Sequence, residues 1–396
     1  MTVILPPQNN PENQPEKSAE TAEETAAESS GAPNAAPKSV MRSINRFLEK
    51  FSTIPISEKL FFVQNLSIML KAGISLSVSL KTLAKQTNNK RFSAIINDIS
   101  ANVEKGVSFT ESLKPHEKVF GQLFVNMIES GEISGKLEEV LKRLFIQFKK
   151  NHELVSKVKG ALTYPAVILF AMGGIGIFMM VAVVPKITAM FKDFNAELPF
   201  ATKILIKFSD SLVSNGLLYL IGLVVFVLIL VQAIKTKKGK YIFHGLLLKL
   251  PVFSTIIKKI NLARFARTIS SLLKTDIMII KSLQITASVL GNVYYRDALN
   301  EMSVKIKKGG TINEVISSYE KLFPPIVTQM ISVGEETGEL DFILEELAEF
   351  YEGEVDQTMN NLPAIIEPIL ILTLGLVVGA MAIAIIMPMY SLTSAI

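Results

Sequence analysis

Two glutamates, Glu132 and Glu335, have the chemistry and the setting of candidate functional residues. Each follows a glycine in the same short block, which reads Gly-Glu-x-Ser/Thr-Gly-x-Leu in both places. A carboxylate can exchange protons with a reacting group or accept hydrogen bonds from a partner. The residues that define the two blocks are Gly131, Glu132, Gly135 and Leu137, and Gly334, Glu335, Gly338 and Leu340. The repeated block is therefore a candidate active-site or partner-binding motif.

The rest of the sequence offers these carboxylates no catalytic companions. The three histidines, His116, His152 and His244, are scattered without the spacing of metal ligands, and the chain has no cysteine. It also has no Gly-x-x-x-x-Gly-Lys-Ser/Thr loop to bind nucleotide phosphates. No basic motif interleaved with aromatic residues points to nucleic acid. The sequence therefore predicts a protein that is not an enzyme, has no catalytic residues, metal or cofactor, and binds no nucleic acid.

The two blocks belong to an internal duplication. They lie 203 residues apart, since 334 − 131 = 203, and the same offset pairs other landmarks without a gap. These pairs are Leu80 with Leu283, Lys105-Gly106 with Lys308-Gly309, Phe120 with Phe323, Pro165 with Pro368, and Pro185 with Pro388. A register kept over so long a stretch indicates two copies of one unit.

The composition places the chain in a membrane. With 49% hydrophobic residues and a mean hydropathy of +0.38, it is too apolar for an ordinary soluble protein. Three uncharged stretches, 161–185, 211–234 and 368–390, have the roughly 20 residues needed to cross a bilayer. The residues that mark the ends of the first and third spans are Tyr164, Pro165, Pro185, Glu367, Pro368 and Pro388. The prolines either kink the spans or only punctuate them near the membrane edges.

The distribution of Lys and Arg predicts the orientation. The segment 142–159, before the first span, carries six basic residues against one acid, and residues 235–267 carry nine against none. The loop 186–210 is nearly balanced, with four basic and three acidic residues. Because strongly basic loops remain in the cytoplasm, the N-terminus is predicted to be cytoplasmic and the loop 186–210 and the tail 391–396 external.

Helical periodicity predicts the fold of the cytoplasmic parts. Phe92, Ile96, Ile99 and Val103 form one apolar stripe, and four residues of the second copy repeat it: Tyr295, Leu299, Met302 and Ile306. The predicted fold class is all-α: a polytopic membrane protein with two duplicated cytoplasmic helical bundles, 55–160 and 235–367, and three transmembrane helices. Residues 1–45, rich in Pro, Ala, Glu and Ser, are predicted to be a disordered acidic tail.

The glycine and glutamate block has a mechanical interpretation. Gly131 and Gly334 are predicted to end one helix, and Ser134 or Thr337 to cap the next. Two interpretations of Glu132 and its counterpart stay open. Each carboxylate either stabilises the N-terminus of the helix that follows, or faces a partner or the sister domain.

The chain resembles the inner-membrane platform proteins of type IV pilus assembly and type II secretion. The resemblance covers about residues 58–390. It depends on Leu70-Lys-Ala-Gly73-Ile-Ser-Leu, Gly106-Val-Ser-Phe109, the two glycine and glutamate blocks, Tyr164-Pro165, Val184-Pro185, Leu198-Pro199-x-x-Thr202, Glu367-Pro368 and Met387-Pro388. The second copy departs from the pattern, because Asp276 stands where the first has Gly73.

The resemblance implies a function. Such a protein is expected to form a homo-oligomer among the lipids of the bacterial cytoplasmic (inner) membrane, beside inner-membrane alignment proteins. Its cytoplasmic domains would engage a hexameric assembly ATPase and so drive pilin or pseudopilin subunits into a filament. A membrane transporter or channel component is the alternative, but no Asp, Glu, Lys, Arg or His lies inside the three predicted spans.

Overall fold

The computed structural model describes residues 54–193 and 200–393, which are largely α-helical and contain no β-strand. The predicted acidic tail, 1–45, and residues 394–396 of the predicted external tail lie outside the described residues. Two helical bundles and three helices long and apolar enough to cross a membrane make up the described chain. The predicted all-α class with a duplicated unit and three long apolar helices is confirmed.

The first bundle is formed by a series of short helices and one long helix, α7, which continues as the first span. They are α1 (Ile56–Lys71), α2 (Leu76–Gln86), α3 (Lys90–Glu104), α4 (Phe109–Leu113), α5 (Glu117–Phe120), α6 (Gln122–Ile133) and α7 (Leu137–Phe178). The side chains of Asn89 and Ser108 cap α3 and α4 by accepting backbone N–H groups of their first turns. Asn and Ser are favoured N-caps because their side-chain oxygens replace missing backbone acceptors.

The first span contains a change of helical pitch. A π-helical turn, Met179–Val183, separates α7 from α8 (Val184–Asp193). Pro185 has no backbone N–H to offer the carbonyl of Val181, and its ring crowds that carbonyl, so a wider turn suits this position. Pro165, in contrast, lies buried inside the continuous helix α7.

The second span, α9 (Phe200–Lys235), returns toward the bundles, with a break in helical geometry at Asn215. The predicted loop 186–210 is therefore helical in its described residues. Two side chains near the far end hold the spans together. The hydroxyl of Ser209 donates to the carbonyl of Met180 (2.5 Å), and that of Thr202 donates to the carbonyl of Ala384 (2.8 Å). Hydroxyl-to-carbonyl bonds of this kind join helices in lipid.

The second bundle repeats the first in register. Its helices are α10 (Lys237–Lys249), α11 (Pro251–Leu273), α12 (Ile279–Val289), α13 (Val293–Lys307), α14 (Ile312–Ser317), α15 (Pro325–Thr337) and α16 (Leu340–Thr393). From α12 onward, each helix begins 203 residues after its counterpart, as in 279 − 76 = 203. Asp276 adopts a left-handed conformation (φ 60°), as Gly73 does in the first copy (φ 79°). The turn is thus kept although its glycine is not.

The predicted apolar stripes form the cores. Phe92, Ile96 and Ile99 are fully buried in the first bundle, as are Leu299 and Met302 in the second. Val103 and Ile306 pack against the same cores as partly buried side chains. The prediction of one-faced helices is confirmed, because each stripe faces the interior of its own bundle.

The two bundles pack against each other. Leu272 and Ile285 of the second copy are part of the first core, and Leu154 of α7 is part of the second. Between them, the buried amide of Gln147 donates to the hydroxyl of Thr268 (3.1 Å) and accepts from that of Ser271 (3.2 Å). The bundles therefore lie side by side at the same end of the spans.

Candidate functional site

Glu132 binds the start of the short helix α4. Its carboxylate accepts the backbone N–H groups of Phe109 (2.7 Å) and Thr110 (2.9 Å), and also the hydroxyl of Thr110 (2.6 Å). Ser108 accepts the N–H of Glu111 in the same turn. Three of the N–H groups that a helix start leaves without an intrahelical acceptor are therefore satisfied by side chains. The negative charge also lies where the helix dipole is positive.

Glu335 makes the equivalent contacts in the second bundle. Its carboxylate accepts the backbone N–H groups of Ile312 (2.9 Å) and Asn313 (3.2 Å), the first two residues of α14. Thr311 and Glu314 complete the turn with reciprocal bonds, each side chain accepting the backbone N–H of the other. The third bond of the first copy, from the hydroxyl of Thr110, has no counterpart here, because Asn313 takes the place of Thr110.

These contacts correct the first interpretation of the glutamates, and the second, that each carboxylate faces a partner, stays a prediction. Each carboxylate stabilises a helix N-terminus, but that helix precedes the block by more than twenty residues instead of following it. The predicted cap by Ser134 is also wrong, whereas Thr337 accepts the backbone N–H of Glu339, the residue just before α16 (3.4 Å). Ser134 donates its hydroxyl back to Ser130, and Lys136 stands at the N-cap of α7 without a side-chain cap bond. The block is thus a clamp between α6 and α4 in the first bundle, and between α15 and α14 in the second.

The first glycine of each block does not end a helix, contrary to the prediction. Gly131 lies inside α6, and Gly334 lies inside α15. A Cβ atom on Gly131 would stand 2.8 Å from Cγ2 of Val140, and one on Gly334 would stand 3.1 Å from Cα of Leu340. These glycines are needed because the next helix crosses at very short range.

The second glycine of each block provides the turn. Gly135 (φ 70°) and Gly338 (φ 75°) adopt the left-handed conformation just after α6 and α15. Such a residue at a helix end allows the chain to reverse direction. Leu137 and Leu340 then begin α7 and α16 and pack, half-buried, on the two cores.

Substitution of the two glycines should separate these roles. Gly131→Ala is expected to lower the free energy of unfolding by about 1–3 kcal/mol, because the new methyl group collides with a β-branched side chain. Gly135→Ala meets open space and is expected to cost only about 1 kcal/mol of backbone strain. Thermal unfolding of the purified full-length protein measures both. Equal effects of the two variants would contradict the close-approach role of Gly131.

An ion cluster around the buried Arg267 was not apparent from the sequence. The guanidinium of Arg267 makes two bonds to Glu352 (2.8 and 2.9 Å), and Glu345 and Glu349 lie 3.8 Å away. Burial lowers the pKa of Arg267, but the hydrogen bonds and charges of these carboxylates, Glu352 first, outweigh it and raise the pKa overall. Lys150 of the first bundle also reaches Glu352 (3.1 Å). The acids recur on one face of α16, a pattern that could have indicated the cluster.

The described residues contain no group of three or more His, Cys, Asp or Glu side chains placed to hold a metal ion. His116 pairs with Asp98 (2.7 Å), and His244 accepts the backbone N–H of Val293 through Nδ1 (3.1 Å). The pKa of His244 is lowered by burial and by the charges of Lys240 and Arg296, which favours this acceptor role. Both contacts join helices within their own bundle.

The residues that mark the spans are spread along two helices. Tyr164 and Pro165 lie in α7, Pro185 lies at the start of α8, and Glu367, Pro368 and Pro388 lie within α16. They do not converge on one site. Their role in shaping the spans remains a prediction.

Comparison with known proteins places these features in a family. The sequence model of the family described as "Type II secretion system (T2SS), protein F" matches twice, at residues 62–185 and 265–388. The second match begins 203 residues after the first (265 − 62 = 203), which is the offset of the repeat.

Individual relatives agree with this match. The type IV pilus assembly protein PilC of Thermus thermophilus is 34% identical over 85% of this chain and 83% of its own length. PilC of Myxococcus xanthus is 35% identical over 87% and 83%, respectively. The type II secretion system protein F of Aeromonas hydrophila is 29% identical over 85% and 87%. The resemblance found in the sequence is confirmed, and the chain belongs to the type II secretion system protein F family.

Proposed function

We propose that this protein is the inner-membrane platform of a type IV pilus or type II secretion machine and couples a cytoplasmic assembly ATPase to the polymerisation of pilin or pseudopilin subunits. Relatives named for pilus assembly and for type II secretion support this proposal. In this proposal the protein is not itself an enzyme, so the energy comes from the ATPase. Inner-membrane alignment proteins and further copies of the chain complete the assembly.

The observation that carries the proposal is the continuity of two helices from bundle to span. Helix α7 has 42 residues and α16 has 54, so they are about 60 and 80 Å long. Each begins at a glycine and glutamate clamp, passes through its bundle and continues into an apolar stretch. A helix without a break transmits a rotation or displacement of the bundle to the membrane.

Contacts between the two helices would make the bundles move together. Lys157 of α7 pairs with Asp356 of α16, and Lys150 pairs with Glu352 about two turns earlier on α7. The amide of Gln147 links α7 to α11. A force that an ATPase applies to either bundle would therefore reach both spans.

The proposed topology follows the charge pattern. The bundles 55–160 and 235–367 face the cytoplasm and the ATPase, and the spans 161–185, 211–234 and 368–390 cross the membrane. The loop 186–210 and the C-terminal residues 391–396 lie on the external side. Basic residues beside the bundle ends of the spans support this orientation.

A flexible insertion tests the coupling. About eight Gly and Ser residues placed after Lys159 would interrupt α7 between bundle and span. The variant is expected to accumulate in the membrane and bind the ATPase, yet to lose filament assembly or secretion. Immunoblots, co-purification with the ATPase and counts of pili or secreted substrate measure the three properties.

The matched control is the same insertion between Lys235 and Thr236. The chain already breaks there between α9 and α10, and Thr236 keeps its cap on Gly239. This control is expected to retain most assembly. Normal assembly with the insertion after Lys159, or equal loss in both variants, would contradict the proposal.

A further inference from the structure

Helix α10 has one face packed on the second bundle. The hydroxyl of Tyr241 bonds to Asp297, and His244 accepts the N–H of Val293. Leu248 packs against the core of the second bundle. These contacts fix α10 along α13 and determine which side of the helix faces away from the protein.

The opposite face of α10 is apolar and exposed. Ile242 is 73% exposed and Leu246, one turn later, is 55% exposed; Leu250, just after the end of α10, is 40% exposed. Phe253, at the start of α11, extends the stripe and is 47% exposed. At about 3.6 residues per turn, Lys238 and Lys249 border one edge of the stripe and Lys240 the other. An apolar stripe edged by lysines is the pattern of a helix that lies at a membrane surface.

The chain segment that contains α10 carries charge of one sign. Residues 235–267 carry nine Lys and Arg side chains and no Asp or Glu. Lys235 ends the second span, and only Thr236 separates it from α10. Basic residues so close to a span are attracted to anionic lipid headgroups.

The antiparallel pairing of α11 with α16 places the end of α10 and the start of α11 at the height of the membrane. Ser270 bonds to the carbonyl of Asp341, and Lys259 bonds to Thr358. Continued along both helices, this pairing brings the start of α11 beside the residues just before Glu367. The third predicted span begins there, so α10 lies where the bundle meets the bilayer.

We propose that α10 lies in the membrane interface as an amphipathic helix. Its exposed Ile242 and Leu246, with Leu250 just after its end, insert among the lipid chains, while Lys238, Lys240 and Lys249 contact anionic phospholipid headgroups. The methylene stems of these lysines lie along the stripe and their ammonium groups reach the headgroups. This contact fixes the second bundle against the membrane at the point where the second span enters it. The inference depends on the membrane location of the chain and not on its coupling to an ATPase.

A single tryptophan tests this placement, because the sequence has none. Full-length I242W is reconstituted in nanodiscs of phosphatidylcholine with or without brominated acyl chains, with L246W as a second probe on the same stripe. The control is I133W, since Ile133 is 82% exposed at the end of α6 in the first bundle. Bromine is expected to quench most of the emission of I242W and L246W and to leave that of I133W nearly unchanged.

Two fluorescence outcomes would overturn the proposal. Quenching of I242W and L246W no greater than that of I133W would place α10 in water. A blue-shifted emission without bromine quenching would show that another protein surface covers the stripe.

A separate experiment tests the contact between the lysines and the lipid headgroups. Addition of phosphatidylglycerol is expected to increase the quenching of I242W, and the combined changes Lys238→Gln, Lys240→Gln and Lys249→Gln are expected to abolish that increase. High salt should weaken it as well, because exposed charges are screened. An unchanged response to phosphatidylglycerol in the glutamine variant would refute the role of these lysines.

Discussion

Replacement of Glu132 by Gln is expected to destabilise the first bundle so that little protein remains in the membrane. The change removes the charge that accepts two backbone N–H groups and one hydroxyl at the start of α4, and it puts an amide NH2 where only acceptors fit. Phe109 and Thr110 are buried, so water cannot take over these bonds. Hydrogen bonds to charged groups contribute about 1.5–3 kcal/mol each, and we expect a loss of about 2–4 kcal/mol in the free energy of unfolding.

The measurements are the midpoint of thermal unfolding of the full-length protein in detergent and its abundance in membranes by immunoblot. A bundle of this size should lose roughly 10 °C or more in its midpoint. Glu335→Gln should lower the midpoint less, because Glu335 accepts two bonds instead of three. Glu129→Gln removes the same charge from a half-exposed position on α6 and is the control. If Glu132→Gln left stability and abundance intact but abolished filament assembly, the carboxylate would face a partner.

Replacement of Arg267 by Met is expected to cost about 3–5 kcal/mol in the free energy of unfolding, the largest effect predicted for this protein. The side chain of Arg267 is only 9% exposed and that of Glu352 only 16%. Removal of the guanidinium leaves a buried carboxylate with Lys150 as its one remaining cation among the described residues. Loss of one partner of a buried pair is costly because the other charge keeps its desolvation penalty.

Thermal unfolding of the purified protein measures this effect as well. Arg143→Met is the matched control, since Arg143 pairs with Glu139 (2.6 Å) on the half-exposed surface of α7 and should contribute less than about 1 kcal/mol. The double variant Arg267→Met with Glu352→Leu should recover part of the loss, because it removes both buried charges. Equal effects of Arg267→Met and Arg143→Met would show that burial of the cluster contributes nothing.

The most reliable predictions came from patterns within a single helix. The stripe of Phe92, Ile96 and Ile99 has helical spacing, and only burial of one face explains such spacing. Gly106 and Gly309, paired by the repeat offset, follow the ends of their helices in the left-handed conformation. The prediction of the three spans needed only the length and composition of the apolar stretches, because a minimum number of apolar residues is required to cross a bilayer.

The glycine and glutamate block was predicted to be a turn, but its parts were assigned to the wrong neighbours. Local rules connect a cap to the helix that follows it, whereas Glu132 caps a helix 22–23 residues earlier in the chain. That contact exists because α6 lies across the start of α4. In the same way, the close approach of Val140 to Gly131 depends on how two helices cross.

The sequence by itself determined that the repeated block is a structural turn in each of two copies, that the fold is all-α, and that three stretches suit a membrane. These properties follow from residue type and spacing along one chain. Only the tertiary structure decided what the two glutamates bind, how Arg267 is neutralised and which face of α10 is exposed. These depend on atoms far apart in the chain, whose meeting is set by helix packing.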